Sequence, residues 1–297
     1  MSTATEHEPL YSSSECGTMP TSEIRIGYCV AGTYRIIRSI GTGASGNVFE
    51  VEHARLGRLF ALKLLRPEIA AESQAARRFA REARVAATVR NEHVVSIVDC
   101  GEDGGRPYLV MELCEGRDLR ALLREDAPTA VPRAVRLVIE AARGLSAIHD
   151  AGLVHRDLKP ENLFVTRRCT GEEWCKVLDF GVAKASQSLS TTQGAIVGTV
   201  RSMAPEQLID SSAVDASCDV YALGAVLYEC LTGRPPNMGA TVQETMFRIL
   251  NEAPPSPREL RPEVSPRLDE LVMRCLAKAP SERPLSMRRF LSELEEA

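Results

Sequence analysis

His155-Arg156-Asp157-Leu158-Lys159-Pro160-Glu161-Asn162 is the stretch on which the reading of this chain turns. Asp157 and Asn162 stand five residues apart, in a loop between a helix closed by Gly152 and a short strand, Leu163 to Thr166. That spacing lets a carboxylate face a hydroxyl while an amide faces a metal. Lys159 adds a point positive charge of the kind that stabilises a phosphoryl group in transit. A polar loop that only caps the helix does not account for all eight residues. Seventeen positions after Asn162 comes Asp179-Phe180-Gly181, preceded by the strand Lys176-Val177-Leu178. Asp179 suits Mg²⁺, a hard cation that favours carboxylate oxygens, and Gly181 lets the chain swing.

Toward the N-terminus, Gly41-Thr42-Gly43-Ala44-Ser45-Gly46-Asn47-Val48 has a strand before it and a strand after it. A dinucleotide-binding fingerprint continues into a helix instead. A strand–glycine loop–strand hairpin makes a lid whose N–H groups can lie over phosphates, although a glycine triplet alone is a weak signal. Ala61-Leu62-Lys63 follows on the third strand. An ammonium in an apolar strand is costly unless it meets an anion. A triphosphate supplies one; the alternative is a packed stem with its head in water. Glu82 shares a helical face with Phe79 and Val89, where an apolar residue is expected. It either turns inward to orient Lys63 or stays solvated among its arginine neighbours.

The surrounding texture divides in two. Tyr34 to Ile40, Asn47 to His53, Leu59 to Leu65, Val94 to Cys100 and Pro107 to Leu113 read as strands, with one helix over Ala71 to Val89. After Gly116 the pattern is mainly helical: Pro132 opens a helix where its missing N–H costs nothing. Further helices are expected over Val214 to Thr232, Thr241 to Asn251 and Pro266 to Ala277, with a proline-rich connector from Pro254 to Pro262. A small β lobe thus precedes a larger α lobe, joined by an extended link near Met111 to Gly116.

Composition narrows the classes. The 297 residues carry 36 Lys+Arg against 40 Asp+Glu, a net charge of −4, with 44% hydrophobic residues. Disorder as the dominant state is excluded, and the mild acidity argues against nucleic acid as a partner. The longest largely apolar run, Val220 to Leu231, falls short of the roughly 20 residues a bilayer span needs. The N-terminus shows no secretory signal. Nine scattered cysteines read as reduced thiols in a cytoplasmic protein. Cys169 and Cys175 are close enough for a metal pair but have no second pair at ligand spacing, so ordinary thiols are the better reading. Only five of the 36 basic residues are lysines, so a lysine where chemistry demands one carries weight.

The order glycine loop, Ala-x-Lys, helix Glu, His-Arg-Asp-Leu-Lys-Pro-Glu-Asn, Asp-Phe-Gly and Ala204-Pro205-Glu206 resembles the signature set of eukaryotic-type protein kinases, over about Tyr34 to Leu294. The ending Gly198-Thr199-x-x-x-Met-Ala-Pro-Glu-Gln is similar to bacterial serine/threonine kinases. The resemblance implies an α+β bilobal protein kinase fold: an antiparallel β-sheet lobe with one key helix, then a larger helical lobe. It implies a flexible tail over 1–32 and a kinase domain over 33–295, with the small lobe to about 113, a hinge at about 112–117 and the large lobe from about 118.

Site roles follow from the same resemblance. Gly41, Gly43 and Gly46 cover the phosphates, with Thr42, Ala44, Ser45 and Asn47 completing the loop. Ile40, Val48 and Ala61 line the adenine pocket, Met111 is the gatekeeper, and Glu112 and Cys114 offer hinge backbone groups. Lys63, paired to Glu82, holds the α- and β-phosphates. Asp157 accepts the substrate hydroxyl proton, Lys159 stabilises the γ-phosphoryl group, and Asn162 and Asp179 bind the metal. Asp219 anchors the catalytic loop, and Glu206 pairs with Arg283. The cofactors implied are ATP and Mg²⁺, with Mn²⁺ as a substitute. The partners implied are protein substrates and, for autophosphorylation in trans, a transient second copy of the chain. Thr191 and Thr192, with Ser188 and Ser190 nearby, stand where related kinases phosphorylate themselves, and Arg156 is placed to receive such a phosphate. A merely flexible polar loop is the competing reading.

One departure stands out. After Thr199, in the segment that contacts the residue following the phosphoacceptor, Val200-Arg201-Ser202 replaces the usual Pro or Ala, variable residue and aromatic. That leaves substrate choice open and keeps a partner-binding pseudokinase as a rival. A small-molecule phosphotransferase is a second rival, opposed by Ala204-Pro205-Glu206.

Overall fold

The computed structural model describes residues 25–43, 46–71, 73–168, 170–179, 200–210 and 214–297. Ala44, Ser45, Cys169, Phe180, Gly181, Ser188, Ser190, Thr191, Thr192, Gly198 and Thr199, all named above, lie outside the described residues.

The small lobe contains β1 (Cys29–Val30), β2 (Tyr34–Thr42), β3 (Gly46–His53), β4 (Leu59–Leu65), the short α1 (Pro67–Ala70), α2 (Ser73–Ala86), β5 (Ile97–Asp103) and β6 (Arg106–Glu112). The strands form one antiparallel sheet in the order β1-β2-β3-β4-β6-β5. Strand β4 shows why. Side chains alternate across a sheet, and Phe60, Leu62 and Leu64 enter one core with Tyr34, Ile36, Val51, Tyr108 and Val110. Ala61 and Leu65 enter the other core, with Leu109, Met111 and the α2 residues Phe79, Ala83 and Ala86. Each large side chain so buried contributes roughly 1.5–3 kcal/mol. Lys63 has the parity of Ala61 and Leu65, so a one-residue slip of register would drive its ammonium into the apolar face.

The ordered sheet begins earlier than the expected tail boundary near residue 32. Cys29 and Val30 pair with Arg35 and Tyr34, Val30 is fully buried, and Tyr28 Oη donates to Asp103 at 2.9 Å. A two-residue strand is too short to show a period. The strand expected from Val94 starts instead at Ile97. Val94 bridges Val177 in the large lobe, and Val95 N donates to Val177 O at 3.0 Å. Its apolar character serves contact between lobes.

Beyond the hinge come β7 (Gly116–Asp118), α3 (Leu119–Glu125), α4 (Val131–Asp150), β8 (Leu163–Arg167) and β9 (Glu173–Val177). They are followed by α5 (Pro205–Ile209), α6 (Ser217–Thr232), α7 (Val242–Asn251), α8 (Pro257–Leu260), α9 (Pro266–Cys275) and α10 (Met287–Glu295). Strands β7, β8 and β9 make a small second sheet. Gly116 is required there: at φ 151, a Cβ would lie 2.2 Å from Val165 O. Helix α4 starts with Pro132 in its first turn, and Gly152 follows it at φ 75. Helix α6 contains the longest apolar run and is buried from Cys218 to Leu231, so this run is a core helix. It begins at Ser217, later than expected, because Asp215 Oδ1 takes the Ser217 N–H at 2.8 Å. Among the described residues no helix is long and apolar enough to cross a membrane.

Candidate active site

The glycine segment forms a hairpin as its flanking strands require. Gly41 stands opposite Val48 and Thr42 opposite Asn47, and Gly43 N donates to Gly46 O at 2.9 Å. At Gly46 a Cβ would lie 2.3 Å from Leu64 O, so only glycine lets β3 lie this close to β4. Lys63 pairs across the sheet with Val48 and Leu109, and Ala61 with Met111. Val48, Lys63, Ala61 and Met111 therefore lie on one face of the sheet. Glu112, at the end of β6, is held by the Lys176 ammonium at 2.6 Å and the Ser96 N–H at 2.8 Å. Close to this pair, burial and the Glu112 charge push the Cys114 thiol up to about 11, against the pull of Lys176.

Lys63 has a different partner from the one expected. Its ammonium, on a residue only 8% exposed, donates to Asp179 Oδ1 at 2.9 Å. Among the described residues no ion pair joins it to Glu82. Glu82 Oε2 is buried without a hydrogen-bond partner. Burial raises the Glu82 carboxyl, opposed by the charges of Arg156, Arg78 and Arg81. The expected Lys63–Glu82 pair is thus corrected: two carboxylates can serve this lysine, and here Asp179 does. Asp179 itself is held at φ 55, a left-handed backbone unusual for a non-glycine residue.

The catalytic loop is tied from several sides. Asp219, on the buried face of α6, accepts the His155 N–H at 2.8 Å and the Arg156 N–H at 2.9 Å. His149 Nε2 lies 2.7 Å from the same carboxylate. Burial works to raise the Asp219 carboxyl, but the bonds and charges of His149 and His155 outweigh it and hold it below the usual range. Arg156 is bent to φ 62. Lys159 Nζ donates to Asp157 Oδ2 at 3.1 Å. Asn162 Nδ2 donates to Asp157 O at 2.7 Å, which leaves its amide oxygen as the group able to meet a cation. Leu178 N donates to Asn162 O at 2.8 Å, and His155 Nε2 lies 2.9 Å from Leu178 O. These bonds bring the segment carrying Asp179 against the segment carrying Asn162.

The donor set fits a hard divalent cation. It offers a carboxylate and an amide oxygen, and Mg²⁺ binds through one or two carboxylates together with substrate phosphates.

Glu206 and Arg283 pair as expected, at 2.7 and 2.8 Å. Gln207 was not anticipated. Its side chain accepts from Ala204 N at 3.0 Å and donates to Arg156 O at 2.9 Å, so the Ala204-Pro205-Glu206 segment is fastened to the catalytic loop. Lys176 and His149 were also missed. Lys176 was legible as one of only five lysines, whereas His149 gave no signal beyond its place near the helix end.

The site is thus built from a glycine hairpin, the Lys63–Asp179 pair and a loop that ties a carboxylate, an ammonium and an amide together. The protein kinase domain model matches residues 34–293, and the chain belongs to that family. It is 41% identical over 253 residues to the serine/threonine-protein kinase PknE of Mycobacterium bovis, covering 85% of this chain and 44% of the relative. To the serine/threonine-protein kinase pkn3 of Myxococcus xanthus it is 35% identical, covering 93% of this chain and 52% of the relative. The chain therefore spans about half the length of these curated relatives. Among solved structures, the kinase domain of Mycobacterium tuberculosis PknI superposes with a TM-score of 0.73 at 30% identity, covering 92% of this chain and 99% of that one. The bilobal fold expected from the motifs agrees with this likeness.

Proposed function

We propose that the chain is a serine/threonine protein kinase that transfers the γ-phosphoryl group of ATP to protein hydroxyls. The observation that carries it is the fastening of Asp157, Lys159 and Asn162 to one another, on a loop anchored by Asp219. In this reading Asp157 orients the substrate hydroxyl and takes its proton. The hydroxyl oxygen bonds to the γ-phosphorus as the bond to the β-phosphate oxygen breaks and ADP leaves. Lys159 stabilises the equatorial charge. Gly41, Gly43 and Gly46 close over the phosphates, and the backbone of Glu112 and Cys114 meets adenine. Asn162 and Asp179 would hold Mg²⁺, which neutralises phosphate charge when bound. Lysine in Asp157-Leu158-Lys159 and the names of the relatives support serine and threonine as acceptors.

Lys63 on Asp179 is then a resting arrangement, and the competent one brings Lys63 to Glu82. Phosphorylation of Thr191 and Thr192, by a second copy of the chain, favours that change through Arg156. Thr199 lies in the segment that meets the substrate, beside Val200 and Ser202, both buried. The seven described cysteines are free thiols, which supports a cytoplasmic location.

The test is intact-mass spectrometry of dephosphorylated protein incubated with Mg-ATP, beside Asp157→Asn. Gains in ~80 Da steps in the wild type alone are expected, with mapped sites at Thr191 and Thr192. No gain in either protein would overturn the kinase reading. Equal gains in both would remove Asp157 from its role.

A further inference from the structure

Helix α6 is apolar along its buried length, yet it carries Glu229, itself buried. A carboxylate there needs a cation. Arg120, on the helix α3 that follows the hinge, supplies it. Its Nη1 and Nη2 donate to the two Glu229 oxygens at 2.5 and 3.2 Å. Its Nε donates to Glu161 Oε1 at 3.0 Å. Glu161 is the middle residue of the single turn Pro160–Asn162, and the next residue is the metal-facing Asn162. One guanidinium therefore fastens the turn of the catalytic loop to two helices of the large lobe.

The charge count makes this tether matter. Two carboxylates share one cation, and Glu161 Oε2 is buried with no hydrogen-bond partner. Without Arg120, the buried Glu229 would have the half-exposed Glu161 as a like-charged neighbour and no cation, and the turn carrying Glu161 is the lighter of the two elements to move. We propose that Arg120 is a positioning residue of the catalytic loop: through Glu161 it sets where Asn162 stands, and so governs how tightly the divalent metal is held. The proposal rests on the kinase reading. The planar fork is essential to it, because the three bonds leave from three separate nitrogens, a spread that the single nitrogen of an ammonium does not have.

The test uses the full chain, with Mn²⁺ followed by electron paramagnetic resonance in the presence of a non-hydrolysable ATP analogue, and with melting temperature as a control. Arg120→Met paired with Glu229→Leu replaces a buried ion pair by apolar groups, a change that is often neutral for stability. The double variant should melt near wild type, bind metal-free nucleotide normally and need about 10-fold more Mn²⁺ for half-saturation, as disturbed outer-shell partners do. Arg120→Lys should melt normally and show the same weakened Mn²⁺ binding. Wild-type Mn²⁺ affinity in the double variant would overturn the proposal, as would full rescue by lysine. Absence of nucleotide-dependent Mn²⁺ binding in the wild type would instead overturn the kinase reading beneath it.

Discussion

Replacing Asp219 by asparagine tests the anchoring of the catalytic loop most directly. The carboxylate oxygens serve four donors: His149 Nε2 and His155 N on Oδ2, and Arg156 N and, more weakly, the Cys218 thiol at 3.7 Å on Oδ1. The amide has nearly the same shape but one acceptor oxygen, and it sets an N–H₂ group against one of those donors. A hydrogen bond to a charged group contributes about 1.5–3 kcal/mol, and an opposed buried donor adds to the loss. A net destabilisation of about 3 kcal/mol follows. At about 2–4 °C per kcal/mol for a domain near this size, the melting temperature should fall by about 6–12 °C.

A second effect is local. Arg156 is held at φ 62, a conformation that costs of order 1–3 kcal/mol, and the bond from its N–H to Asp219 helps to hold it. Once that bond is weakened, Arg156 can relax and carry Asp157 with it. A misplacement of about 1 Å costs about 10²-fold in rate. Because Asp219 is held below its ordinary range, its contribution is fully present above about pH 4 and is lost on acidification. The gap between wild type and variant should therefore narrow below about pH 4. Circular dichroism melts at several pH values, with autophosphorylation rates at pH 7.5, read both effects. A variant melting within about 2 °C of wild type at neutral pH, with an unchanged rate, would refute the anchoring argument.

Other outcomes follow from the site. Glu82→Gln removes a half-buried carboxylate whose acid form is favoured by burial. Its ionised form weakens the fold as pH rises, so the variant should melt higher than wild type at pH 7.5 and equal to it near pH 4, while its transfer rate falls. Gly46→Ala puts a methyl group 2.3 Å from Leu64 O, so the glycine hairpin must shift, and KM for ATP should rise severalfold in steady-state assays with a smaller change in kcat. Lys63→Met removes the ammonium that meets Asp179; radiolabel transfer to a generic protein substrate should fall below detection while the fold, read by circular dichroism, persists. The Cys114 thiol, pushed up to about 11, should react with iodoacetamide at pH 8 about two orders of magnitude more slowly than an exposed thiol near 8.5, as tryptic mass mapping would show.

Much of the site was legible because its chemistry sits in consecutive residues. Residues 155–162 hold Asp157, Lys159 and Asn162, which a tight loop suffices to tie to one another. The β4 strand was equally plain, since Phe60, Leu62 and Leu64 alternate with Ala61, Lys63 and Leu65. Asp219 was placed by the family resemblance alone, and Glu229, inside the run Val220 to Leu231, was not singled out. The partner of Lys63 was not legible. Both Asp179 and Glu82 are suitable carboxylates, and the choice depends on how α2 is seated, a tertiary property that helical periodicity does not carry. The bond from Arg120 to Glu161 spans 41 positions, and in so arginine-rich a chain nothing marks one arginine as the partner. Val94 misled for a related reason: an apolar residue near a strand reads as sheet, although its partner is Val177 of the other lobe.

Two arginines of the large lobe, Arg283 buried and Arg120 partly buried, show why ion pairs of similar appearance need not have equal weight. Arg283 spends its donors on both Glu206 oxygens and on the carbonyls of Ser217, Ala277 and Lys278. Replacing the pair by apolar residues would remove the charges together but orphan three backbone acceptors, each costing about 1–3 kcal/mol when buried without a partner. Arg120 directs the donors described here to carboxylates alone. Its pair with Glu229 can be exchanged for apolar side chains without stranding the backbone, and what is lost is the tether to Glu161. Arg283 thus holds the large lobe together as well as Glu206 in place, whereas Arg120 acts on the position of the catalytic turn. The difference lies in the acceptors around each guanidinium, which is why loop position separates from stability at Arg120, whereas loss of Arg283 falls on the stability of the large lobe.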